Sequence, residues 1–144
     1  MADTADDGGD GAPQGLPGWA REKVEDALRD PAACTKLWLY PDSDDDEDPI
    51  AALPDAIGQL TALTELSLGN NKLTALPDAF GQLTALTTLN LQYNKLADPP
   101  MVLARLPNLT TLTLEGNPFL KDESLPRNMG AGPLLLKYLS LIHI

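Results

Sequence analysis

The chain has 144 residues, enough for one domain, and its 43% hydrophobic content can build a core, which excludes a wholly disordered chain. Aromatics are only 5% while 28 residues are Leu, so the core is expected to be stacked leucine rather than a mixed packing. The formal net charge of −11 repels nucleic-acid backbones and anionic membranes, so neither is expected as a partner.

Residues 1–15 are rich in Gly, Asp and Ala without apolar periodicity, and are expected to be a disordered acidic tail. They show no basic segment followed by an apolar one, so no secretory leader is read there. The single cysteine, Cys34, allows no intramolecular disulfide, and no apolar run reaches the ~20 residues of a membrane span. A reducing, cytoplasmic setting is the expectation. Residues 16–33 hold the next element. Val24, Ala27 and Leu28 share one helical face and Pro31 stops the helix, which is expected to cap the N-terminal end of a solenoid.

Three segments then repeat at intervals of 23 residues: LTELSLGNNKL from Leu63, LTTLNLQYNKL from Leu86 and LTTLTLEGNPF from Leu109. All read L-x-x-L-x-L-x-x-N-x-L, with Phe119 in the last place. Residues alternate across a strand, so Leu66 and Leu68, Leu89 and Leu91, and Leu112 and Leu114 point inward. The return halves repeat too: Ile50 to Leu60 and Leu73 to Leu83 each carry a Leu-Pro turn, at Pro54 and Pro77. In the next coil Asp98-Pro99-Pro100 replaces Leu-Pro, so a local displacement is expected there. In the coil before the first of these segments, Cys34 takes the first Leu position, with Leu37 and Leu39 inward, and burial of Cys34 is expected. Leu39 to Ile50 is six residues longer than Leu68 to Leu73, and the excess falls within the acidic run 42–48. That run and Asp3, Asp6, Asp7 and Asp10 hold ten acids, so the rest of the chain has 11 acids against 10 bases and is close to neutral.

These motifs resemble the leucine-rich repeat family over roughly residues 34–120. The Leu-Pro turn and 23-residue period are similar to the intracellular Ras-group, Ras suppressor-like members. The resemblance implies an α/β solenoid of about four coils, with a parallel concave sheet, an irregular convex side and a capping helix at each end. It also implies that Asn71, Asn94 and Asn117 form a buried ladder bonded to the backbone of neighbouring coils. Residues 121–144 are expected to form the C-terminal cap, with a short helix opening near Pro133. The terminal LSLIHI fits no repeat position and resembles sequencing-adaptor read-through, so the native chain is expected to continue differently past about Leu139.

Little in the chain serves chemistry. The lone His143 is one residue from the C-terminus, zinc sites need several Cys or His ligands, and no phosphate-binding glycine loop is present. No catalytic residue, metal or cofactor is therefore expected. An EF-hand starting at Asp42 would need Gly and Glu where Glu47 and Leu53 stand. Ser43, followed by Asp44-Asp45-Asp46, fits an acidic-directed kinase consensus and is the candidate phosphosite.

What remains is the exposed face of the sheet. Its centre reads Trp38, Ser67, Asn90 and Thr113, and a Thr column (Thr35, Thr64, Thr87, Thr110) is expected to be strand-forming residues on a solvated face. Trp and Tyr are favoured interface anchors. The expected partner-binding residues are Lys36, Trp38, Tyr40, Glu65, Asn90, Gln92, Tyr93 and Glu115. The expected function is a monomeric protein-binding module, an intracellular signalling adaptor or scaffold, whose acidic loop favours a basic partner. The resemblance adds a small GTPase as a candidate partner. The alternatives are the N-terminal repeats of a larger GTPase or kinase, and a regulatory subunit of a phosphatase or ligase.

Overall fold

A computed structural model describes residues 15–41, 48–98, 100–121 and 128–130. The first element is a helix, α1 (Gly18–Arg29), which stops before Pro31 and buries Ala20, Val24 and Ala27 on one face. Arg29 in its last turn suits the negative end of the helix dipole. The helix face joins the same continuous core as Leu37, Leu39 and Ile50.

Four short strands come next, one per coil: β1 (Lys36–Trp38), β2 (Glu65–Ser67), β3 (Thr88–Asn90) and β4 (Thr111–Thr113). All three pairings among them are parallel. Lys36 pairs with Glu65, an offset of 29 residues, whereas Glu65–Thr88 and Thr88–Thr111 are offset by 23. The six extra residues of the acidic insertion are therefore accommodated after β1 without shifting the register. Each strand buries its central Leu (Leu37, Leu66, Leu89, Leu112), and the next inward Leu is buried in turn (Leu39, Leu68, Leu91, Leu114).

The side opposite the sheet is more regular than expected. Asp55–Gln59, Asp78–Gln82 and Met101–Arg105 are each a 3-10 turn. Each is preceded by a proline whose carbonyl accepts the N–H three residues on: Pro54 from Ile57, Pro77 from Phe80 and Pro100 from Leu103. A proline has no N–H to lose there and its fixed φ suits the entry to a turn. The third turn keeps the register of the other two, and the expected displacement shows at its two ends. At the entry, ψ of Pro100 is 87°, against 155° at Pro54 and 154° at Pro77. At the exit, ψ of Leu106 is 97°, against 60° at Leu60 and 58° at Leu83.

Asn71, Asn94 and Asn117 lie buried between coils. Asn94 Nδ2 donates to the carbonyls of Leu68 (2.9 Å) and Leu91 (3.1 Å), while its Oδ1 accepts the Leu73 N–H at 3.0 Å. Asn71 bridges Leu39, Leu68 and Ile50, and Asn117 bridges Leu91, Leu114 and Leu96, in the same pattern. A side-chain amide has both donors and an acceptor, so one Asn can satisfy three backbone groups that the turn leaves unpaired.

Three expectations need correction. Cys34 is half-buried rather than buried, and it packs at the margin of the core. The first coil has no preceding coil to cover that position. The Thr column is not merely a solvated strand face. Thr64, Thr87 and Thr110 donate their hydroxyls to the carbonyls of Thr35, Thr64 and Thr87 at 3.0, 3.0 and 3.2 Å. Each such carbonyl also accepts two backbone N–H groups of the next coil. Finally, the sheet has a fifth strand, β5 (Asn128–Gly130), antiparallel to β4, within the stretch 121–144 for which a helical cap was expected. It pairs an edge that β4 would otherwise leave open. The acidic tail 1–14, the insertion residues 42–47 with Ser43, and the expected helix near Pro133 lie outside the described residues.

Candidate functional site: the exposed face of the sheet

The inward leucines are held by the stacked coils, so the alternate residues of each strand must face outward. Trp38 stands at the outward end of β1 and is 43% exposed, and Tyr40, just past that strand, is 37% exposed. Large apolar side chains elsewhere in the repeats are largely internal, and Phe80 is fully buried. The aromatic exposure is therefore local to this face and its edge.

Trp38 and Tyr40 form one wall of a depression of about 380 Å³. Ser67 and Gly69 of the second coil lie along its floor, and Asn90 and Gln92 of the third form the opposite wall. The depth comes from the second coil's small residues, since Gly69 occupies the column that Tyr40 and Gln92 fill in neighbouring coils. Asn90 Oδ1 accepts the Gln92 N–H at 2.9 Å, which fixes the orientation of that wall. On the other side of Trp38 a smaller hollow of about 200 Å³ is bounded by Glu65, Thr88 and Asn90.

The other expected contact residues are arranged differently. Lys36 and Glu65 face one another across β1 and β2 with Nζ 3.3 Å from Oε2. Both are substantially exposed, and a pair of this kind adds at most about 1 kcal/mol to stability. Glu115 is exposed in the fourth coil, and its backbone carbonyl accepts the Tyr93 N–H at 2.7 Å. Tyr93 does not line the trough with Trp38. It lies in a separate hollow of about 350 Å³ at the edge of the sheet, with Pro49, Asn70, Lys72, Lys95 and Gly116. These two lysines were not among the residues expected from sequence. Their signal was visible in the Asn-Lys dipeptides that recur 23 residues apart, at 71–72 and 94–95.

Tyr93 is also conformationally unusual. Its φ is +55°, matched at the equivalent positions of adjacent coils by Asn70 (+59°) and Gly116 (+82°). Asn and Gly tolerate this region, whereas a bulky residue is strained in it. The Tyr93 ring lies over Gly116, where even a β-carbon would collide with it. The ring remains 50% exposed.

At the start of the face, Trp19 of α1 donates its Nε1–H to the carbonyl of Asp48 at 2.9 Å, tying the helix to the end of the acidic insertion. Burial pushes the pKa of the Cys34 thiol up, which disfavours the reactive thiolate. Among the described residues, no group of three or more His, Cys, Asp or Glu is placed to hold a metal ion. Among them, no helix is long and apolar enough to cross a membrane.

Two family models match the repeat region. A family model described as leucine rich repeat matches residues 50–96, and a second, described as two copies of leucine rich repeats, matches residues 84–127. Among solved structures, a leucine-rich repeat protein of Leptospira interrogans matches at 29% identity with a TM-score of 0.48. The match covers 65% of this chain and 34% of that one, so the chain spans about a third of that protein's length. Among curated proteins, none matches the chain. With the 23-residue motif, the parallel sheet, the asparagine ladder and family models that together run from residue 50 to 127, the chain belongs to the leucine-rich repeat proteins.

Proposed function

We propose that this chain is an intracellular adaptor or scaffold that docks a protein partner on the concave, outward face of its sheet. Leucine-rich repeat domains are in general protein–protein interaction modules and are typically not enzymes, which supports the coarse part of this reading. The observation that carries the finer part is the exposure of Trp38 and Tyr40 side by side on that face. Exposed aromatics of this kind are the usual anchors of an interface. The partner is a basic protein surface, drawn by the excess of acids, and the working form is a monomer in the cytoplasm. The resemblance to Ras-group repeat proteins makes a small GTPase the first candidate.

The test is a comparative affinity capture from source-cell lysate followed by mass spectrometry. The baits are the wild-type chain, the Trp38→Ala/Tyr93→Ala double variant, and a variant whose run 42–48 is replaced by Gly and Ser. Circular dichroism verifies that each bait is folded. A partner lost with the aromatic pair but kept with the loop change is the expected result. A partner lost only with the loop change, and weakened by salt, would move recognition to the insertion.

A further inference from the structure

The trough between Trp38 and Gln92 differs in character from the rest of the molecule. In a chain with 22% charged residues, none of the side chains lining it is charged. A charged group seated there would give up part of its hydration and find no counter-ion among the lining side chains, so the lining favours an uncharged group. The aromatic wall of Trp38 and Tyr40 offers a flat apolar surface to an aliphatic or aromatic group. Opposite it, Asn90 has its side-chain oxygen committed to the Gln92 N–H. Its amide NH2 therefore remains as a donor, and it suits a backbone carbonyl.

The floor determines what fits. A β-carbon on Gly69 would stand 3.3 Å from Gln92 Cγ and 3.6 Å from Asn90 Nδ2, so a larger side chain must push against that wall or enter the trough. The volume of about 380 Å³ falls in the range of clefts that hold a small group of atoms rather than a folded surface.

We propose that this trough receives one bulky uncharged side chain from an extended segment of the protein partner, whose adjacent backbone carbonyl accepts from Asn90. Basic residues flank that side chain in the partner segment, since the chain carries a net charge of −11. The proposal rests on concave-face docking and adds the chemistry of the group recognised.

The experiment selects a displayed library of random 16-residue peptides on the full chain, then measures the affinity of the enriched peptides by calorimetry. The chains compared are wild type, Gly69→Gln, Gly69→Ala and Trp38→Ala. Gly69→Gln copies the residue of the next coil into the floor, and Gly69→Ala adds only a methyl group should the larger change disturb folding. The expected peptides share a bulky uncharged residue with basic neighbours. Replacing that residue by Asp weakens binding at least tenfold, as do Gly69→Gln and Trp38→Ala, and Gly69→Ala weakens it to a smaller degree. Peptides that lose affinity with Trp38→Ala but are indifferent to both Gly69 variants would overturn the trough while leaving concave docking in place. Peptides indifferent to all three variants would overturn both. Failure to enrich any peptide over a chain-free control would overturn the extended segment as occupant.

Discussion

Asn94 and Thr87 both hydrogen-bond to a neighbouring coil, yet their worth differs by where the bond is made. Asn94 is buried and serves Leu68, Leu73 and Leu91. Asn94→Ala strands the buried Leu73 N–H and takes one of two amide donors from each of the Leu68 and Leu91 carbonyls, and is expected to cost about 2–3 kcal/mol in urea denaturation, given ~1–3 kcal/mol for an unsatisfied buried group. The Thr64 carbonyl that Thr87 serves keeps two backbone donors, so Thr87→Val is expected to cost about 1 kcal/mol or less. Equal losses would mean the ladder does not carry the stacking. Tyr93 runs the other way. Tyr93→Asn copies the residue that the preceding coil uses at the same φ, and is expected to stabilise the chain by ~1 kcal/mol by relieving strain. Gly116→Ala is expected to destabilise it, and less so in the Tyr93→Asn background, because part of the clash is with the ring. Additive effects in that cycle would show that the ring does not rest on Gly116. Cys34 adds a pH dependence. Burial favours its neutral thiol in the folded chain, so the folded pKa lies above the unfolded one. That contribution is present in full below the unfolded thiol's pKa and is lost as pH rises through the folded value. Iodoacetamide alkylation is accordingly expected to be slower in the folded chain than in urea, and Cys34→Ser to remove this part of the alkaline loss of stability. The asparagines were legible because the motif repeats them in register. The strain at Tyr93 was not, because nothing in Gln-Tyr-Asn announces a positive φ until the neighbouring coils are superposed on it.

At the scale of elements, the repeat period set both strand positions and register, and the six-residue excess reappears as the 29-residue offset between β1 and β2. The helix α1 was legible from the spacing of Val24 and Ala27 and from Pro31. Val24→Ala is expected to cost about 2 kcal/mol, because it removes buried methyl groups where the helix meets the core, whereas Glu22→Ala on the exposed face stays within ~0.5 kcal/mol. Equal urea midpoints for the two variants would mean that the helix does not pack on the repeats. The strand β5 was illegible for a physical reason. Its partner is chosen by the open edge of β4, a tertiary feature, and Asn-Met-Gly has no local strand preference of its own. The 3-10 turns were half-legible: their prolines mark the entry, but the close stacking of one turn on the next, where a β-carbon on Gly58 would meet the Ala79 carbonyl at 2.6 Å, is a tertiary feature.

For the whole molecule, charge and shape make separate demands. Four parallel strands at ~4.8 Å spacing give a face only about 15–20 Å across, narrower than a standard interface requires. A partner held there must be anchored by a few deep contacts, and Trp38 is the largest exposed side chain on its strands. The acids contribute mainly to the rate of encounter, so raising salt is expected to slow association more than it speeds dissociation. The candidate face was legible as outward columns of the repeat. The trough within it was not, because its depth depends on Gly69 lying between two coils with larger residues. Docking on the concave face is decided by calorimetric titration of the partner recovered by affinity capture into wild type, Trp38→Ala and Gln59→Ala. Gln59 is exposed on the 3-10 turn opposite the sheet. Concave docking predicts at least a tenfold loss of affinity with Trp38→Ala, about 1.4 kcal/mol, and no change with Gln59→Ala. Full affinity with Trp38→Ala, or a loss with Gln59→Ala alone, would place the partner away from the concave face and contradict it.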